Sequence, residues 1–379
     1  MDLTRESLRS PLPFSRWIRD CLFPGKKKRG EVMESSGKLA GVDKELLKLL
    51  DVNMDEAPAR RRVREAFKDI QLGLDHILFK TPVDGLRMNE SYEKNSRGLE
   101  IFTKSWTPKI SSPKVVVCLC HGYGDTCTFF MEGVARKLAS SGFAVFGMDY
   151  PGFGLSEGLH GFVPRFDVLV DDVIEHYSKV KENRAFRSLP SFLLGESMGG
   201  AVALKVHLKQ PNAWNGAILS APMCKIADDM VPPLLVKKLL IGVANILPTR
   251  KLVPVKDMAA LACRDLKKRE QAAYNVIAYK GKPRLKTALE MLNTTQEIEQ
   301  HLEDVSLPLL ILHGEADVIT DPSVSKALYE KSCSKDKKFK LYKDSYHGLL
   351  GGEPDEVIIQ VFDDIISWLD DHSKQTNTS

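Results

Sequence analysis

The stretch Ser191-Phe192-Leu193-Leu194-Gly195-Glu196-Ser197-Met198-Gly199-Gly200 constrains what this chain can fold into more than any other. An apolar strand runs into Gly-x-Ser-x-Gly and then into the helix-prone Ala201-Val202-Ala203-Leu204-Lys205-Val206. That order specifies a sharp strand-to-helix turn with the serine raised above a sheet edge, a nucleophile elbow. Gly195 and Gly199 flank the serine because side chains there would collide across so tight a turn, and Ser197 must hold a strained backbone. The helix that follows aims its first N–H groups at the serine oxygen and favours negative charge developing there.

A serine hydroxyl is a poor nucleophile at neutral pH, so the chain must also supply a base and an orienting carboxylate. With this elbow they are expected later, in the order acid then histidine. Leu309-Leu310-Ile311-Leu312-His313-Gly314-Glu315-Ala316-Asp317 reads as a buried strand running into a loop, which makes Asp317 the candidate acid. Asp321 is the rival, but Asp321-Pro322 reads better as the cap and first residue of a helix. The strand Lys338-Phe339-Lys340-Leu341-Tyr342 is followed by Asp344-Ser345-Tyr346-His347-Gly348. Only His347 and His372 follow Asp317, and His372 reads as part of the polar tail, so His347 is the candidate base. The two N–H donors that a tetrahedral oxyanion needs are assigned to Met198 and to Tyr123. Tyr123 stands in His121-Gly122-Tyr123-Gly124-Asp125, a turn after the strand Val115-Val116-Val117-Cys118-Leu119-Cys120. His121, Gly122, Asp125 and Glu196 are expected to contact substrate.

Gly152-Phe153-Gly154-Leu155-Ser156-Glu157-Gly158 has the wrong glycine spacing for a dinucleotide loop and reads as an active-site rim. There is no His-Glu-x-x-His and no Cys-x-x-Cys, so neither a metal nor another cofactor is expected. A net charge of +4 is too small to point to nucleic acid. Seven cysteines without disulfide-like spacing fit a reducing compartment. These features predict a cytoplasmic protein; peripheral membrane contact and a cleaved organelle transit peptide stay open.

The organisation expected is an N-terminal extension over 1–72, helical and partly disordered, and an α/β core over 73–221 and 307–372. A helical cap spans 222–306, between the sixth and seventh strands, and a disordered tail covers 373–379. Within the cap, Leu234, Leu235, Leu239 and Leu240 belong to an apolar stripe wider than one buried face requires. Two readings are open: internal packing, or a lid whose outer surface meets acyl chains or a bilayer. The stretch from Trp17 to Phe23, followed by Lys26-Lys27-Lys28-Arg29, is likewise open between a solvated tail and a weak membrane-surface anchor with Cys21 available for acylation.

Taken together, His121-Gly122-Tyr123-Gly124-Asp125, Asp149-Tyr150-Pro151-Gly152-Phe153-Gly154, the elbow, His313-Gly314-Glu315-Ala316-Asp317 and Tyr346-His347 resemble the monoglyceride lipase group of α/β-hydrolases. The resemblance is closer to the plant branch, with its caffeoylshikimate esterases and lysophospholipase-like members, and runs from about Leu99 to Trp368. It implies a mostly parallel eight-stranded sheet with helices on both faces, a Ser197–His347–Asp317 triad, and oxyanion donors at Tyr123 and Met198. Glu196 stands where animal-branch lipases carry histidine, and Thr126-Cys127-Thr128-Phe129-Phe130 lacks their glycerol-binding arginine. Three activities follow as expectations: a monoacylglycerol or lysolipid esterase, an esterase or acyltransferase for phenolic esters, and a catalytically slow ligand-binding hydrolase.

Overall fold

The computed structural model describes residues 39–225, 234–253 and 257–375, and in them the apolar runs form one eight-stranded sheet. Its strands are β1 (Leu86–Lys94), β2 (Glu100–Pro108), β3 (Val116–Cys120), β4 (Ala144–Met148), β5 (Ser191–Glu196), β6 (Gly216–Ser220), β7 (Leu309–Gly314) and β8 (Lys337–Tyr342). They lie in the order β1-β2-β4-β3-β5-β6-β7-β8. β2 runs antiparallel to β1 and β4, and the rest of the sheet is parallel. Strands β3 to β7 are apolar on both faces, as a sheet covered on both sides requires. Val117, Leu119, Leu194, Ile218, Leu310 and Leu312 point into one core. Their neighbours Val116, Cys118, Leu193, Ala217, Leu219 and Ile311 point into the other.

Helices α2 (Ala57–Leu72), α3 (Phe130–Ser140) and α11 (Asp355–Gln375) cover the first face, through Phe67, Leu138 and Phe362 among others. Helices α4 (Phe166–Glu182), α5 (Met198–Lys209) and α10 (Pro322–Lys331) cover the second, through Val173, Val202 and Leu328. Between β6 and β7 run α6 (Leu234–Ile246), α7 (Met258–Ala262), α8 (Leu266–Gln271) and α9 (Leu285–Gln300). α9 lies against both α5 and α6, with Ala244, Leu285 and Leu289 buried between them. The fold is therefore the expected one, with helices inserted between the sixth and seventh strands.

Three features differ from the sequence reading. β1 was not visible as a strand. The described part of the N-terminal extension, with the short helix α1 (Lys44–Lys48) and α2, is tied into the main core by Leu39, Val63 and Phe67. Burying a side chain such as Phe67 contributes about 1.5–3 kcal/mol, so this segment is a structural part of the body. His372 is no tail residue: it is buried in the last turn of α11, stacks on Trp368 and bonds Asp336 at 2.9 Å. Among the described residues no helix is long and apolar enough to cross a membrane. The basic segment from Trp17 to Arg29 lies outside the described residues.

Candidate active site

β5 ends at Glu196 and α5 begins at Met198, so Ser197 alone makes the turn, at φ 55° and ψ −118°. A non-glycine residue costs of order 1–3 kcal/mol in such a conformation and persists only where its surroundings enforce it. Here Ser197 N donates to Ser220 O at 3.0 Å, while its carbonyl accepts from Gly200 N and Met223 N at 2.9 Å each. A Cβ on Gly199 would collide with the Cys120 carbonyl, and one on Gly195 with the Gly199 carbonyl, so helix and strand approach as closely as the sequence suggests. Ser197 is partly exposed, and its hydroxyl makes no hydrogen bond among the described residues.

His347 Nδ1 and Asp317 Oδ2 are 2.7 Å apart. Asp317 also accepts from Ile319 N at 2.8 Å, Thr320 N at 3.1 Å and Thr320 Oγ1 at 2.9 Å. Burial alone would raise its pKa; hydrogen bonds from His313 and His347 outweigh it, and the carboxylate sits well below its ordinary range. Thr320 Oγ1 also lies 3.1 Å from His347 Nδ1 and 3.1 Å from the Ala221 carbonyl. Ala221 follows β6 at φ 44°, two residues before the Met223 that holds Ser197. A continuous set of bonds therefore joins the Asp317–His347 pair to the serine turn. His313, fully buried, lies 3.1 Å from Asp317 Oδ2, the same oxygen that His347 meets, and also bonds Ser325 and Thr320 O. Sequence reasoning assigned roles to neither His313 nor Thr320. A histidine four residues before the acid was the available signal, but strand register, not sequence, turns it toward the carboxylate.

The turn over 121–125 lies beside the serine: a Cβ on Gly122 would be 3.6 Å from Ser197 Cβ. Neither Tyr123 N nor the buried Met198 N donates a hydrogen bond among the described residues. Gly124, at φ 82°, sits where a Cβ would strike the Tyr279 carbonyl, and its own carbonyl accepts from Tyr279 N at 2.7 Å. Asn275 Nδ2 reaches Asp125 at 2.9 Å. His121 departs from its expected contact with substrate. It is fully buried and stacked on Tyr150, Nδ1 bonds Gly122 O and Nε2 accepts from Tyr150 N, so it shapes the turn from behind. Leu234, Leu235, Leu239 and Leu240 fall on α6, but their side chains lie outside the described residues.

Glu196 is half-buried at its surface, yet surrounding protein strips most of its solvation. Burial first, then the Asp125 carboxylate, pushes its pKa up to about 8. Asp125 is itself pushed up to about 6 by burial, against the pull of the Thr126 amide and Asn275, with Asp149 adding to the rise. An acid raised in this way keeps its proton in the folded protein after the unfolded chain has lost it. Stability is therefore full below about pH 4.5 and declines as pH rises toward about 8. Glu196→Gln should flatten that decline, so thermal unfolding compared at pH 5 and pH 8 should show a smaller drop in Tm than the wild type. An equal drop would mean Glu196 ionises freely.

An eight-stranded sheet in this order, with a strained serine between its fifth strand and the next helix, defines an α/β-hydrolase. The chain belongs to the Hydrolase_4 family, whose model, described as Serine aminopeptidase, S33, matches residues 111–355. It is 35% identical over 295 residues to the caffeoylshikimate esterase of Arabidopsis thaliana, covering 77% of this chain and 88% of that protein. It is 32% identical over 278 residues to the monoglyceride lipase of Mus musculus, covering 73% and 88%. Among solved structures, a soluble variant of the Saccharomyces cerevisiae monoglyceride lipase superposes with a TM-score of 0.67 over 77% of this chain and 98% of its own; at 22% identity this is a likeness of fold.

Proposed function

We propose that this protein is a carboxylic ester hydrolase that works through an acyl-enzyme on Ser197. The observation that carries the reading is the 2.7 Å Asp317–His347 bond, linked through Thr320 and Ala221 to the strained serine turn. With Nδ1 bonded to the carboxylate, His347 keeps Nε2 free to take the Ser197 proton as Oγ attacks the ester carbonyl. Negative charge moves to the carbonyl oxygen, where the Tyr123 and Met198 N–H groups stabilise it. His347 then gives the proton to the departing alcohol, and water repeats the sequence to release the acid. Asp317 fixes the tautomer and stabilises the imidazolium.

The substrate class favoured is a monoacylglycerol or related lysolipid, supported by relatives named monoglyceride lipase in Mus musculus and Homo sapiens, at 32% and 31% identity. A phenolic ester is the second reading, favoured by the 35% identity to a caffeoylshikimate esterase and by Glu196 in place of the animal-branch histidine. The test is labelling with a fluorophosphonate, followed by turnover of 1-monoacylglycerols of rising chain length, lysophosphatidylcholine and caffeoylshikimate. The lipid reading expects kcat/KM to climb with acyl length, because each buried methylene contributes about 0.8 kcal/mol. A flat response to chain length with fast caffeoylshikimate turnover would replace it with the phenolic reading, and an unlabelled protein would sink both.

A further inference from the structure

The residues matched by the family model begin at 111, yet the segment from Met54 to Arg61, far upstream, reaches the wall of the candidate site. Arg60 is fully buried. Its Nε donates to Gly154 O at 2.6 Å, Nη2 to Ser156 O at 2.6 Å and Gly158 O at 3.4 Å, and Nη1 to Met54 O at 2.8 Å and Asp55 O at 3.1 Å. Arg61 Nε adds Leu155 O at 2.9 Å. The rim loop over 150–162 is thus held from behind by α2. Burial lowers the Arg60 pKa to about 10, partly countered by Asp149 and Asp55, so it stays charged at neutral pH. A buried cation is costly unless its donors are used, and here three partners are carbonyls of the rim loop and two are carbonyls of the turn before α2.

The far end of that loop is held by Asp55. Its carbonyl accepts from His160 N at 3.1 Å, and its carboxylate meets Arg284 Nη2 at 2.6 Å and Lys251 Nζ at 3.6 Å. Arg284 precedes α9 and donates also to His160 O at 2.9 Å and Thr249 O at 2.8 Å. The next residue along, Gly161, accepts from Tyr123 Oη at 3.3 Å and from Thr287 Oγ1 at 3.1 Å. Tyr279, whose ring leaves no room for a Cβ on Gly161, holds the Gly124 carbonyl.

We propose that Asp55 and Arg60 are positioning residues of the active site: by fixing the rim loop and the start of α9, they hold the Tyr123 turn at the place where it receives the oxyanion. This rests on the assignment of Tyr123 as an oxyanion donor under the proposed function. The test uses the full chain and Asp55→Ala, since the Asp55 side chain is one-third exposed and its loss leaves the core intact. Displacing a donor from a distance is expected to lower kcat on a short soluble ester by between about tenfold and a hundredfold. A short ester barely touches the cap, so its KM should move by less than about twofold. Amide hydrogen exchange should quicken across 121–128 and 150–162, Asp55→Glu should recover part of kcat, and Asp55→Ala with Arg284→Ala should cost less than the sum of the two single changes, because both remove the Asp55–Arg284 bond while Arg284 also holds His160 O and Thr249 O. Unchanged kcat with a lower Tm, or faster exchange confined to 54–61, would overturn the proposal and leave a purely structural contact. If the wild type proves inactive on every ester, the esterase reading fails by itself, and the exchange pattern alone decides whether the brace reaches the turn.

Discussion

Ser197→Ala should lower ester turnover by about six orders of magnitude and abolish fluorophosphonate labelling, with the fold unchanged. Alanine keeps the Cβ, so the strain at φ 55° is the same in both proteins and its effect on stability cancels. The lost hydroxyl makes no hydrogen bond among the described residues, so its removal orphans no buried partner. What disappears is the oxygen that forms the acyl-enzyme. The residue of activity, about three to four orders above water, would come from the oxyanion donors and from binding. Steady-state turnover, labelling and a melting curve on the same preparation check all three statements. Retained labelling would mean that another side chain is the nucleophile.

Asp317→Asn should cost about four orders of magnitude in kcat. The carboxylate accepts from His347, Thr320 and the Ile319 amide while His313 flanks it, and an amide cannot accept from all of them. If its NH2 group faces His347, it turns the imidazole into an acceptor at Nδ1 and leaves the proton on Nε2, where it blocks abstraction from Ser197. Asp321→Asn is the control. Asp321 is an exposed N-cap whose Oδ1 accepts from Ser323 N at 2.7 Å, and asparagine caps a helix as well as aspartate does. Equal damage from both substitutions would show the acid to be misassigned. Because the Asp317 carboxyl is held below its ordinary 3.8, it adds stability that is full above that pH and lost as pH falls further. The asparagine variant should lack that acid-side loss.

The serine turn was legible in the sequence because three independent local signals coincide there: a fully apolar strand, glycines where backbones touch, and a helix-prone run after them. The pairing of Asp317 with His347 was legible because each follows a recognisable strand and few rivals exist. β1 was not. It is an edge strand paired only with β2, and Arg87, Asn89 and Glu93 are exposed, so neither alternation nor burial marks it. The roles of His313 and Thr320 depend on how the loops after β7 and β8 fold against each other, which no local pattern encodes. Arg60 was the deepest miss. In the sequence it belongs to Arg60-Arg61-Arg62, which looks like a solvated charge cluster. Its partners in the rim loop lie more than ninety positions away, and only the tertiary fold shows that they are carbonyls.

The parallel joint between β6 and β7 sets an order of assembly. Ala217 pairs with Leu309 and Ser220 with Leu312, so the whole stretch 221–308 must be looped out before that joint can close. Closing a loop of that size costs on the order of 4 kcal/mol of chain entropy. Strands β2 to β6 pair without it and carry the serine turn with them. During synthesis Ser197, the proposed nucleophile, therefore emerges and docks well before Asp317 and His347 have been made. On the proposed mechanism, the last strands of the sheet are what complete the reactive set.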